Sequence, residues 1–214
     1  ITSHIVVSNP VDTFQLGVYT VTYKVQDSAG NNAGVVRNVT VVDTTAPVIS
    51  APGDVEIVLA GSLTPVNIGN AAATDLFLKD ITNNAPQDGF RLGTTTVTWT
   101  ATDTSGNMAA ATQKVTVKYA FAGILKPINQ DGSSLFKAGS TIPVKFHLKD
   151  SKGAYVSTAN ATLSYAKLTD NVSKTALEAV STSNSTTGNA FRYDATSNQY
   201  IFNMNILKIR VCEI

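Results

Sequence analysis

Oxygen ligands are the chemistry this sequence offers. Asp43, Asp75 and Asp103 stand in three separate segments, and Asn107 closes the turn that Asp103 opens. Carboxylates and a side-chain amide, with no imidazole or thiolate among them, suit a hard cation such as Ca²⁺. Three carboxylates drawn together repel one another unless a cation neutralises them. The residues do not form a contiguous calcium loop, so they become a site only if the fold gathers the three segments. The alternative is local: Asp43 caps backbone amides, and Asp103 and Asn107 simply build a turn.

Other reactive groups are sparse. The two histidines, His4 and His147, lie far apart, and neither sits in a metal-binding pattern. Cys212 is the single cysteine, which excludes an intrachain disulfide and cysteine-rich zinc sites. A Gly-x-Ser-x-Gly elbow, a phosphate loop and a dinucleotide fingerprint are all absent, so no enzyme is expected. A formal net charge of +1 gives no electrostatic reason to bind nucleic acid or an acidic membrane. No apolar run approaches the roughly 18–20 residues of a membrane-spanning helix. Four sequons, at Asn38, Asn160, Asn171 and Asn184, are glycosylation candidates if the chain is secreted.

The elements that must position the aspartates come from an internal repeat. Residues 5–41 align without gaps on residues 81–117 at a constant offset of 76. Leu16-Gly-Val-Tyr-Thr-Val-Thr-Tyr-Lys-Val-Gln-Asp-Ser-Ala-Gly-Asn31 is matched by Leu92-Gly-Thr-Thr-Thr-Val-Thr-Trp-Thr-Ala-Thr-Asp-Thr-Ser-Gly-Asn107. A unit of this kind recurring in tandem is a domain in an array. Period-two alternation predicts a half-buried strand over 94–102, with Val97, Trp99 and Ala101 inward. Its counterpart turns Tyr19, Val21, Tyr23 and Val25 inward. Inward phase makes these aromatics core residues rather than a sugar platform. Asp-x-x-Gly-Asn then predicts a tight turn, at 27–31 and 103–107, followed by strands at 33–42 and 109–118. Further strands are expected at about 54–59 and 66–72, with looser structure to residue 91. Charged residues make up only 14%, and Thr, Ser and Asn fill the polar positions, a surface common on extracellular β proteins.

Asp43-Thr-Thr-Ala-Pro-Val-Ile49, the Ala73-Thr-Asp75 segment, Leu92-Gly93 and Thr102-Asp-Thr-Ser-Gly-Asn107 resemble hyalin-repeat domains. These are immunoglobulin-like modules of extracellular adhesion and surface proteins. Residues 43–119 carry the fuller likeness, and 1–42 resemble the C-terminal part of such a module. Phe136-Lys-Ala-Gly-Ser-Thr-Ile-Pro-Val-Lys-Phe-His-Leu148, with Phe191-Arg-Tyr-Asp194 and Asn198-Gln-Tyr-Ile-Phe-Asn203, resembles the PxKF domain over 120–205. In its strand Ile142, Val144, Phe146 and Leu148 share a buried face, and Pro143 suggests an edge. The stretch 181–189 reads as a loop. The expected fold is all-β, tandem immunoglobulin-like sandwiches in a linear array: 1–42, 43–119 and 120–214.

In such a sandwich the last hairpin sits at the pole where the chain enters. That pole should gather Asp43, Asp75 and the Asp103–Asn107 turn, and a bound Ca²⁺ would stiffen the joint. The junction at 119–124 carries no such acid and should be joined by apolar contact. The expected role is a stalk or assembly segment of a surface adhesion, sheath or filament protein, extracellular or at the cell surface. The alternatives are the accessory stalk of a secreted enzyme and a carbohydrate-binding module. The expected partners are other copies, neighbouring surface proteins or glycans. Both terminal domains look incomplete against their families. Either the chain belongs to a longer one, or a neighbour completes a sheet by strand donation.

Overall fold

The structure is a computed structural model. It describes residues 4–137, 139–165, 168–169, 172–173, 177–178 and 188–206. Asn171, Asn184, Cys212 and the stretches 181–187 and 207–214 lie outside the described residues. The chain is all-β, a tandem series of immunoglobulin-like sandwiches.

Alternating Thr and β-branched or aromatic residues build the first sheet. β1 (His4–Ser8), β2 (Gly17–Gln26) and β3 (Asn32–Val41) pair antiparallel in the order β1-β2-β3. Val21 is buried, and its predicted inward neighbours Tyr19, Tyr23 and Val25 are half-buried. Ile5, Val7 and Val35 remain more than half exposed.

β4 (Val48–Ser50), β5 (Val55–Val58), β6 (Ala72–Thr74), β7 (Leu78–Asn83), β8 (Gly93–Asp103) and β9 (Met108–Lys118) follow. β4 pairs with β6, and the other four form a sheet in the order β5-β9-β8-β7. β5 runs parallel to β9, with Val55 opposite Val115. Val97, Trp99 and Ala101 are buried as their phase requires, and so are Val115 and Val117 of β9. Trp99 Nε1 donates to Gln113 Oε1 at 3.2 Å, and Gln113 Nε2 donates to the Gly53 carbonyl at 2.7 Å.

Two expectations are corrected here. The strand placed at 66–72 lies instead at Ala72–Thr74, because Pro65 lacks a donor and Gly69 takes a positive φ of 74°. The stretch read as loose to residue 91 contains β7, whose Lys79-Asp80 interruption hid its alternation and coincides with a register shift in its pairing to β8.

The third region is built on β10 (Ala120–Ile124), β11 (Thr141–Lys149), β16 (Arg192–Asp194) and β17 (Gln199–Asn205), in the order β10-β11-β17-β16. Between them β12 (Ser164–Tyr165) pairs with β15 (Leu177–Glu178), and β13 (Leu168–Thr169) with β14 (Val172–Ser173). Ile142, Val144, Phe146 and Leu148 are buried, as are Tyr200 and Phe202 of β17. Pro143 is not on an edge strand, since β11 lies between β10 and β17. The pairing with β10 begins only at Phe146, however, so Pro143 sits where β11 has β17 alone beside it among the described residues.

By contacts the chain divides into two compact units: 1–53, 69–85 and 97–113, and 54–68, 86–96 and 114–214. The aspartate cluster lies wholly in the first, and the 119–124 junction wholly in the second.

Candidate metal centre

The Asp103 turn is the foundation. Asp103 Oδ1 accepts from the amides of Ser105 and Asn107, both at 2.8 Å, and Asp103 Oδ2 accepts from Asn107 Nδ2 at 2.7 Å. Gly106 closes the turn at φ 90°, a conformation glycine enters without a Cβ penalty. The first repeat builds the same turn. Asp27 Oδ1 accepts from Ala29 and Asn31 at 2.9 and 2.8 Å, and Asn31 Nδ2 donates to Oδ2 at 2.8 Å. A third instance, at Asp150–Ala154, went unread in the sequence although its Asp-x-x-Gly spacing was visible. Asp150 Oδ1 accepts from Lys152 and Ala154, both at 2.9 Å. Turn formation therefore needs only the aspartate and the glycine.

What distinguishes Asp103 is its surroundings. Thr104 N donates to the Phe77 carbonyl at 2.9 Å, tying this turn to the loop between β6 and β7. In that loop Asp75 caps its own turn, accepting from Phe77 N at 2.7 Å. Asn107 Nδ2 also reaches the Asp43 carbonyl at 3.3 Å, tying the turn to the linker. Asp43 Oδ1 accepts from Thr45 N at 2.9 Å, buried Pro47 anchors the segment, and Val48 pairs with Thr74 next to Asp75. Hydrogen bonds of the backbone and of the Asn107 side chain thus assemble three elements that sequence distance keeps apart.

One carboxylate oxygen from each of Asp43, Asp75 and Asp103 lies within 4.8 Å of the other two. Oxygens on one Ca²⁺ lie about 2.3–2.6 Å from it, so two of them are separated by at most about 5 Å. The spacing fits a single ion. Asp103 is 1% exposed, Asp43 and Asp75 are half-buried, and Asp43 Oδ2 is buried with no hydrogen-bond partner. An oxygen in that position lacks the compensation that burial normally demands. Burial pushes the Asp103 carboxyl up. The Asn107 side chain and the amides of Asn107, Ser105 and Gly106 outweigh it and hold the pKa below the ordinary carboxylate value. The group is therefore charged at neutral pH. Asn107 turns its amide nitrogen toward Asp103 and the linker, so its contribution here is to bridge the two.

The glycosylation candidates Asn38 and Asn160 are exposed, and Asn38 Oδ1 accepts from Thr20 Oγ1 at 3.1 Å. The sequence offered no aromatic platform, yet Phe14, Phe121 and Tyr155 are exposed, Phe121 to 55% and Tyr155 to 44%. None of them belongs to the repeat strands whose phase was read.

Comparison with known proteins follows the repeat. Residues 1–41 match the family described as bacterial surface protein, Ig-like domain, and residues 42–118 match the HYR domain. The chain is 38% identical over 118 residues to Hyalin of Strongylocentrotus purpuratus and 37% identical over 121 residues to Hyalin of Lytechinus variegatus. Each alignment takes in 51% of this chain, but only 10% and 22% of the respective hyalins, so the chain spans a small part of these relatives. Among solved structures, Protocadherin Gamma B7 extracellular cadherin domains 1–4 aligns over 96% of this chain and 56% of that one, with TM-score 0.30 and 14% identity. Protocadherin Gamma B2 extracellular cadherin domains 3–6 aligns over 98% and 60%, with TM-score 0.31 and 15% identity. The PxKF reading of 120–205 rests on its own residues.

Proposed function

We propose that this chain is a non-catalytic stalk or assembly segment of a modular extracellular protein of adhesion, sheath or filament type. Its modules are 1–42, 43–119 and 120–214, the last of PxKF kind. The observation that carries this reading is the gap-free tandem repeat, whose second copy matches the HYR domain. A recurring small β module without reactive groups serves reach and spacing.

In this reading Ca²⁺ binds Asp43, Asp75 and Asp103 where the linker enters the second module. The ion neutralises three carboxylates, partners the buried Asp43 Oδ2 and stiffens the entry segment. Other copies or neighbouring surface proteins are the partners. The apolar face of the first sheet, with Ile5, Val7 and Val35 exposed, favours completion by a donated strand. The exposed Asn38 and Asn160 carry glycans if the chain is secreted.

Calorimetric titration of the chelator-treated chain with Ca²⁺ tests the metal. One site per chain, lost in Asp103→Ala and retained in Asp27→Ala, is the expected result. Equal loss in both variants, or no heat in the unsubstituted chain, rejects it.

A further inference from the structure

A concave site lies in the second compact unit, built from residues other than the aspartates. A groove of about 570 Å³ opens beside the β10–β11 pair. That is within the usual range for small-ligand sites. Val58 of β5, Tyr119 and the β10 residues Ala120, Phe121 and Ala122 give it apolar lining, and Lys118, His147 and Lys149 give it polar lining. Its walls are ordered by backbone bonds: Leu59 N donates to the Lys118 carbonyl, and Ser151 N to the Leu59 carbonyl, both at 2.8 Å.

We propose that this groove binds a carboxylate-bearing sugar, a uronic acid unit of an acidic polysaccharide. Three features select that chemistry. First, among the described residues the lining holds two lysines and no acidic side chain. Lys118 contacts Glu56, but both side chains are more than half exposed, and such a pair exchanges readily for another anion. Lys149 Nζ lies 4.8 Å from the Tyr155 ring centroid, which holds its stem without neutralising its charge. Second, His147 Nδ1 lies 2.8 Å from the Asn198 carbonyl. A carbonyl only accepts, so Nδ1 carries the proton and Nε2 of the neutral ring is left as an acceptor, suited to a hydroxyl donor. Third, Val58, Tyr119, Ala120, Phe121 and Ala122 give the groove an apolar surface on which the C–H face of a pyranose can lie. Cations, a hydroxyl acceptor and an apolar surface in one groove match a sugar acid better than an acidic peptide, which brings no comparable array of hydroxyl donors. The inference does not rest on the calcium reading.

The experiment is a calorimetric titration of the full chain, with chelator present, against a hexamer of galacturonate, a neutral galactose hexamer and hexaglutamate. The expected result is binding of the galacturonate hexamer at least tenfold tighter than of either other probe. Lys149→Gln and the groove-narrowing Ala122→Leu should each weaken it at least fivefold. Chelation by EDTA leaves this site intact while removing the calcium-dependent behaviour of the aspartates, so failure of one reading is distinct from failure of the other. Equal binding of the neutral hexamer, equal or tighter binding of hexaglutamate, absence of binding, or indifference to both substitutions overturns the proposal. Circular dichroism of each variant separates a lost groove from a lost fold.

Discussion

At Asp103, turn-forming hydrogen bonds and repulsion between carboxylates act on one side chain. Among the described residues the same turn at Asp27 has only the first of these effects. Asp43→Asn isolates the second, because the amide keeps an oxygen for Thr45 N while removing the charge. In chelator the substitution should raise the melting temperature by relieving repulsion; in millimolar Ca²⁺ it should lower it by removing a ligand. Differential scanning calorimetry under both conditions reads the change of sign, and the same direction in both would dismiss the metal. Acid sensitivity is a second consequence. Asp27, held down first by the Asn31 side chain, and Asp103 both have folded pKa values below the ordinary one. Lowered pKa means that the unfolded chain binds protons first as pH falls. The stability these groups contribute is complete above about pH 4–5 and drains away as pH falls through the folded values. Chemical denaturation from pH 7 to pH 2.5 should find the loss confined to the acid end, and smaller in Asn31→Ala or Asn107→Ala.

At the element scale, β8 and β9 supply the wall on which the aspartate turn is mounted. Trp99→Phe removes the indole donor to Gln113 and part of the buried surface, at a cost of about 1–3 kcal/mol. A urea midpoint shift without a change in slope is the expected signature. Gly106→Ala meets open space for its Cβ but must hold φ near 90°, so its cost is conformational, about 1–2 kcal/mol. Gly30→Ala, at φ 86°, should cost the same in chelator. Added Ca²⁺ should offset the penalty at Gly106 only, since among the described residues no carboxylate cluster stands beside the Gly30 turn. Equal penalties in Ca²⁺ would separate the turn from the cluster.

For the molecule as a whole, the two compact units should respond differently to calcium. Hydrogen exchange should slow on Ca²⁺ addition at 43–47, 75–78 and 103–107, and stay unchanged at 119–124 and 141–149. That second junction needs no ion. Tyr119 packs against the Phe146–Leu148–Tyr200 cluster, and the Phe121 ring meets Phe146 edge-on at 5.5 Å. Protection spreading evenly over both units would contradict a local site. Association is the other molecular property. The exposed apolar face on β1–β3 should drive concentration-dependent association in sedimentation velocity, and Val35→Lys should reduce it; a monomer at all concentrations in both forms would dismiss strand donation.

Strand faces and turns were legible in the residues because they are local. Period-two alternation placed Val97, Trp99 and Ala101 in the core. Asp-x-x-Gly-Asn marked both hairpin turns, since an acceptor and a positive φ are needed within five residues. Tertiary structure alone decided what those elements meet. The parallel pairing of β5 with β9, the late position of β6 and the bulged β7 came from partners distant in sequence, with no local signature. The cluster depends on the bond from Thr104 to Phe77, on Asn107 reaching Asp43, and on Val48 pairing with Thr74. Each joins segments more than 20 residues apart, so spacing named the aspartates while only long-range pairing set their oxygens within 4.8 Å. The groove at Lys118 and Lys149 was invisible for the same reason: its lining comes from β5, β9, β10 and β11, whose order in the chain says nothing of their neighbours in space.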